Sequence, residues 1–110
     1  MASTPEGKVK DSTKKALVRR RAYWHMPVQN GMGQPALDFH VCLPVVITAD
    51  MVGKRLGLYV GVETKKLGGK PTPRQLVTAA AIEAAGGKVF FIDGGESDQG
   101  RVSQLEDWIP

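Results

Sequence analysis

The tightest constraint on how this chain folds is a strand-length alternation that ends in opposite charges two residues apart. Tyr59, Gly61, Glu63 and Lys65 interleave with Val60, Val62 and Thr64. A strand sends successive side chains to opposite faces, so Glu63 and Lys65 emerge on the same side. A basic, glycine-rich loop follows, Leu67-Gly68-Gly69-Lys70-Pro71. Next comes a helix start in which Thr72 caps and Pro73 takes the first helical position, with Arg74 and Gln75 in the first turn. The helix is expected to run to about Ala85, with Leu76, Ala80 and the Glu83/Ala84 pair spaced by turns and several alanines allowing close packing. Gly86 and Gly87 end it, and the apolar run over residues 88–93 reads as a buried strand.

Upstream, residues 5–20 read as a helix. Thr4 caps it, Pro5 suits its first position and Glu6 lies in the first turn, where a carboxylate is favourable. Val9, Thr13, Ala16 and Leu17 give it a narrow apolar stripe on an otherwise basic surface. Residues 21–28 read as a strand that Pro27 pushes towards an edge, and residues 30–33 as a turn. A second strand is expected over residues 36–43, with Asp38, His40 and Cys42 on one face and an apolar backing of Leu37, Phe39, Val41 and Leu43 on the other. Within residues 44–57, Val45, Val46, Ile47 and Thr48 are strand-like, Ala49 and Asp50 read as a turn or helix start, and residues 51–56 as a short helix or a hairpin arm. Past residue 94 the chain is polar, with Val102, Leu105, Trp108 and Ile109 able to dock a last short helix. The order helix, strand, strand, strand, helix, strand predicts an α/β fold built on a mixed β-sheet flanked by helices.

A chain of 110 residues is expected to make one domain spanning 1–110, its core at about 5–94 and a short extension at 95–110. No apolar run approaches the length of a membrane span, and the first six residues lack the apolar centre of a signal peptide. The single cysteine, Cys42, has no intrachain partner, and no cysteine–histidine cluster suggests zinc. A reducing cytoplasm is the expected location. The formal net charge of +4 is unevenly spread. Residues 8–21 carry seven cations against one acid, residues 65–74 carry Lys65, Lys66, Lys70 and Arg74 with no acid, and the acids gather from Asp93 onwards. Such blocks suit a polyanion held through its backbone.

Glu63 and Lys65, taken with the upstream carboxylate of Asp38, form a set that suits a divalent metal with a fixed positive charge beside it. In Asp38, Glu63-x-Lys65 and Gln75 the chain resembles the PD-(D/E)xK nucleases. Within them, the tail Gly69-Lys70-Pro71-Thr72-Pro73-Arg74-Gln75, then Ala85-Gly86-Gly87 and the apolar run to Asp93, is similar to the VRR-NUC family of virus-type replication and repair nucleases, in its stand-alone phage form. The chain departs from that family in having Leu37 directly before Asp38, with proline at Pro35. The resemblance implies a restriction-endonuclease-like core and a Mg²⁺-dependent DNA endonuclease, with Mn²⁺ as a substitute. It implies catalytic roles for Glu6, Asp38, Glu63, Lys65 and Gln75. Metal ligation would fall to Asp38, Glu63 and the backbone carbonyl of Thr64, with Glu6 a candidate for a second metal position. The basic blocks mark Lys14, Arg19, Lys66, Lys70 and Arg74 as DNA-binding. Stand-alone members act on branched or duplex DNA, Holliday-junction-like substrates among them, usually as homodimers. The expected setting is therefore phage replication, repair or packaging in the host cytoplasm. Two alternatives stay open: a non-catalytic DNA-binding subunit of a larger phage nucleoprotein complex, and a non-selective duplex nicking nuclease.

Overall fold

The computed structural model describes residues 4–28, 37–96 and 100–108. Two compact units divide the chain, Met1–Arg55 and Leu56–Pro110, and each is described by itself.

The first unit begins with α1, Pro5–Arg19. The Thr4 side chain accepts from the Gly7 N–H at 2.9 Å, as an N-cap should. At the other end, the Arg21 N–H donates to Val18 O and the Ala22 N–H to Leu17 O. That is the double closure of a Schellman motif, and it forces Arg21 into the left-handed region with φ 56°. Strand β1, Tyr23–His25, pairs antiparallel with β2, His40–Cys42, in the register Tyr23↔Cys42, Trp24↔Val41, His25↔His40.

This ladder is shorter than the sequence predicts. The strand expected at 21–28 is cut at one end by Arg21 and at the other by Pro27, which has no N–H to donate to a ladder. Its partner can then extend no further back than His40. Asp38, expected on a strand with an apolar backing, instead lies exposed at a bend, and Leu37 beside it is 78% exposed. The strand-like Val45, Val46 and Ile47 form no strand; Pro44 interrupts the ladder ahead of them, and all three are exposed. A 3₁₀ turn, Ala49–Met51, is the only regular element described between β2 and the second unit. The turn expected at 30–33, Ala36 and Ile109 lie outside the described residues.

The second unit is built on β3, Val60–Thr64, and β4, Lys88–Ile92, paired parallel with Val60↔Lys88, Val62↔Phe90 and Thr64↔Ile92 among the partners. Parallel neighbours need a crossover, and α2, Pro73–Ala84, supplies it. Its C-terminus closes as α1 does, with the Gly86 N–H on Glu83 O and the Gly87 N–H on Ile82 O, but here a glycine takes the left-handed position at φ 96°. Gln75, Ala79, Ile82 and Ala85 form the less exposed side of the helix, over the face of Gly61, Glu63, Val89 and Phe91. The expected stripe of Leu76 and Ala80 points outwards: in an alanine-rich helix one bulky isoleucine decides the buried face. On the opposite sheet face Phe90 is buried and packs edge-on against Trp108 at 5.7 Å, beyond α3, Ser103–Asp107.

The two small sheets, one antiparallel and one parallel, are those formed by the described residues, so the protein is α/β with separate ladders where one mixed sheet was expected. Among the described residues no helix is long and apolar enough to cross a membrane. The two helix ends make a matched test. Arg21→Gly relieves a left-handed arginine and is expected to stabilise the protein by about 0.5–1 kcal/mol. Gly86→Ala is expected to cost about 1 kcal/mol. Urea midpoints of the two variants, read against the parent, check both signs.

Candidate active site

Glu63 sits one residue from the end of β3, on the face that α2 covers, so the first turn of that helix arrives beside its carboxylate. The Gln75 Nε2 donates to Glu63 Oε1 at 2.8 Å. The amide that makes this contact is itself held. Gln75 Oε1 accepts from the Thr72 N–H at 2.9 Å while the Gln75 N–H donates to Thr72 Oγ1 at 3.2 Å, a reciprocal capping box. Because the oxygen is committed to the cap, the NH₂ end has one direction left, towards Glu63. Lys65, on the same side as Glu63, brings Nζ to 3.9 Å from that same oxygen. Both contacts fall on Oε1; among the described residues Glu63 Oε2 has no hydrogen-bond partner. The Glu63 side chain is 42% exposed and that of Lys65 20%, so the glutamate is the more open of the two.

The second unit thus brings together Glu63, Lys65 and Gln75. The first unit carries Glu6 and Asp38. Glu6 occupies the first turn of α1, 3.7 Å from Lys10 in an exposed i,i+4 pair worth little in stability. Of the basic residues, Lys14 and Arg19 lie on α1, Arg74 is exposed in the first turn of α2, and Lys66 and Lys70 are exposed in the loop after β3. His40 is exposed, edge-on to His25 at 6.0 Å.

The start of α2, with Arg74 in its first turn and the lysines of the preceding loop nearby in sequence, is the kind of helix end that can seat a phosphate. Its backbone offers less than a bare helix end: Pro73 has no N–H, and the Gln75 and Leu76 N–H groups are taken by Thr72 Oγ1 and Thr72 O. Cationic side chains, Arg74 and the loop lysines, must do most of any anion binding there.

The last residue of the strand expected over 88–93 is central to this edge. Asp93 directly follows β4, and its carboxylate accepts from the Gly95 N–H at 2.9 Å and from the Gly68 N–H at 3.0 Å. These donors, Gly95 first and Gly68 next, hold its carboxyl below the usual carboxylate range, and the charge of Lys70 adds to them. An aspartate directly followed by two glycines at a strand end is the sequence signal for the Gly95 bond; nothing local signals the bond to Gly68. The capping box was likewise legible, as Thr72-x-x-Gln75.

For a divalent cation, the chemistry present is one half-exposed carboxylate with an oxygen to spare. Mg²⁺ commonly takes one or two protein carboxylates and keeps several waters, and Glu63 fits that use. No group of three or more His, Cys, Asp or Glu side chains gathers among the described residues. The chain matches no protein-family model, no curated protein and no solved structure.

Acid should release the edge in a defined direction. A carboxyl whose folded-state value is depressed contributes its stability above the unfolded value and loses it as pH falls through the folded one. The Gly68 and Gly95 amide shifts are therefore expected to hold steady down through the ordinary carboxylate range and to move together only below it, in an acid titration followed by ¹⁵N NMR.

Proposed function

We propose that this protein is a metal-dependent DNA endonuclease of the PD-(D/E)xK kind, resembling the stand-alone VRR-NUC enzymes and sharing their restriction-endonuclease-like fold. The observation that carries the reading is the Glu63 carboxylate, fixed by the Gln75 amide and touched by the Lys65 ammonium through one oxygen while the other is open. It lies at the C-terminal edge of a parallel strand pair, where α/β proteins commonly bind ligands, with a basic loop next to it.

In this reading Glu63 holds Mg²⁺, or Mn²⁺ in its place. The resemblance adds Asp38 and the Thr64 carbonyl as further ligands and Glu6 as a candidate for a second position. An ion held there would supply neutralisation of charge at the scissile phosphate and a more acidic attacking water. Lys65, largely covered and beside Glu63, orients that water and stabilises the negative charge that develops in the transition state. Gln75 acts through Glu63: its clamped amide holds the carboxylate and keeps Oε1 occupied, leaving Oε2 without a hydrogen-bond partner among the described residues. Lys66, Lys70 and Arg74, with Lys14 and Arg19 on α1, grip the DNA backbone without reading sequence. The substrate is branched DNA of the Holliday-junction kind, cut by a homodimer whose two-fold axis suits paired cuts, in phage replication, repair or packaging within the host cytoplasm.

The test is cleavage of a labelled four-way junction beside its duplex arms, in Mg²⁺ and in EDTA. Paired, Mg²⁺-dependent cuts in the junction are expected. Glu63→Ala and Lys65→Ala should each lower the rate by about 100-fold or more, Asp38→Ala should abolish the Mg²⁺-dependent cleavage, and Gln75→Ala should cost about tenfold through weakened metal affinity. Equal cutting of junction and duplex would leave a nicking nuclease. Binding with no cutting, in Mg²⁺ or with Mn²⁺ substituted for it, would sink the enzyme and leave a DNA-binding subunit.

A further inference from the structure

Three separate pieces of backbone converge on the carboxylate that follows β4. The loop after β3 arrives through Gly68, whose N–H meets Oδ2, and the turn after β4 arrives through Gly95, whose N–H meets Oδ1. Gly100 arrives from further along, its carbonyl accepting from the Asp93 N–H at 3.2 Å and the Gly94 N–H at 3.1 Å. The glycines are required. Gly68 has φ 76°, a Cβ on Gly69 would come within 2.9 Å of Lys66 O, and a Cβ on buried Gly100 would overlap Asp93 Oδ1. The same loop leaves β3 with the Lys65 N–H on Ile92 O at 2.8 Å and turns through the Gly69 N–H on Lys66 O at 2.8 Å. It therefore has a fixed start, a fixed turn and a fixed anchor. A cavity of about 450 Å³ opens beside it, lined by Lys65, Gly68, Lys70, Phe91, Asp93 and Gly100 among others.

The charges divide in an informative way. Asp93 is the acid in this lining, and its two oxygens are engaged by backbone amides; among the described residues it forms no ion pair. Its oxygens go into holding the loop, so neither Lys65 nor Lys70 is tied to it in an ion pair, although the charge of Lys70 acts on it through space. We propose that Asp93 is a positioning residue that pins the loop of residues 65–70 so that Lys65 and Lys70 present their ammonium groups to one cavity, which takes a phosphate of the nucleic-acid backbone. The phosphate half rests on the nuclease reading; the pinning half does not.

The two halves are separable by experiment because plain electrostatics and the pin make opposite forecasts. Removing a negative charge beside two lysines should by itself tighten DNA binding; losing the pin should weaken it. In the full-length chain, Asp93→Ala and, independently, Gly100→Ala (which displaces the carboxylate without removing it) are expected to speed hydrogen exchange at the Gly68 amide at least tenfold. The Lys65 amide, bonded to Ile92 O within the ladder, stays protected as the control for folding. With a short duplex in EDTA at low salt, both variants are expected to bind about three- to tenfold more weakly. Lys70→Ala should weaken the parent but have little further effect in the Asp93→Ala background. Unchanged Gly68 exchange in both variants overturns the pin, even if the protein cuts DNA. Tighter binding by Asp93→Ala, or an undiminished Lys70→Ala effect in that background, overturns the coupling to phosphate. A parent chain that binds no duplex, with Gly68 still loosened in both variants, overturns the phosphate half together with the nuclease reading and leaves the pin standing.

Discussion

The parallel pairing of Val60–Thr64 with Lys88–Ile92 is the constraint on which the rest of the second unit depends. Two strands that run the same way cannot be joined by a hairpin, so the chain must travel back over the sheet before it can form the second. That return consumes the loop after β3 and the whole of α2. It also gathers at one edge the end of β3, the start of the helix and the residue that follows β4. Glu63, Lys65, Gln75 and Asp93 are neighbours for that topological reason, although Asp93 stands far from Glu63 in the chain. A swap to antiparallel pairing would reverse β4 and carry Asp93 to the opposite edge.

Within that edge a structural device and a chemical one share atoms. The capping box of Thr72 and Gln75 satisfies donors that every helix start leaves open, and most such boxes end there. Here the glutamine still has an NH₂ group to spend once its oxygen is engaged, and the covering of β3 by α2 aims it at Glu63. Glutamate at position 75 could satisfy the cap equally well but would set a second negative charge against Glu63. The amide therefore suits both demands at once, and a carboxylate suits only the first.

Much of the second unit is legible in the sequence because its signals are local. Thr72-Pro73 marks the start of α2, Gly86-Gly87 marks its end, and the alternation of residues 59–65 sets Glu63 and Lys65 on one face, all as found. The errors come from interactions that need a partner. Residues 45–47 have strand composition, yet a strand exists only where another pairs with it, and the three-residue ladder between Arg21 and Pro27 offers nothing beyond His40. Asp38 was placed on that strand for its alternation with Phe39 and Val41; the ladder stops short of it. The outward turn of Leu76 has a similar origin, since alanines carry too little apolar weight to reveal which side of α2 is covered. Asp93 was unreadable for a different reason: its bond to Gly68 spans the crossover, and no short-range pattern encodes it.

The two carboxylates at this edge show how environment separates like groups. Glu63 meets side-chain partners through one oxygen and keeps the other open, so its charge remains available to something outside the protein. Asp93 meets backbone amides through both oxygens, which favours its charged form and spends that charge internally. Backbone donors suit the second task better than lysines would. They cannot swing away on a flexible stem, and they do not tie a lysine head to the carboxylate. An acid satisfied by a lysine here would have committed that lysine to an ion pair. Satisfied by glycine amides, it holds the loop and leaves Lys70 out of an ion pair with it, so this short stretch depends on Gly68, Gly69 and Gly100 as well as on its lysines.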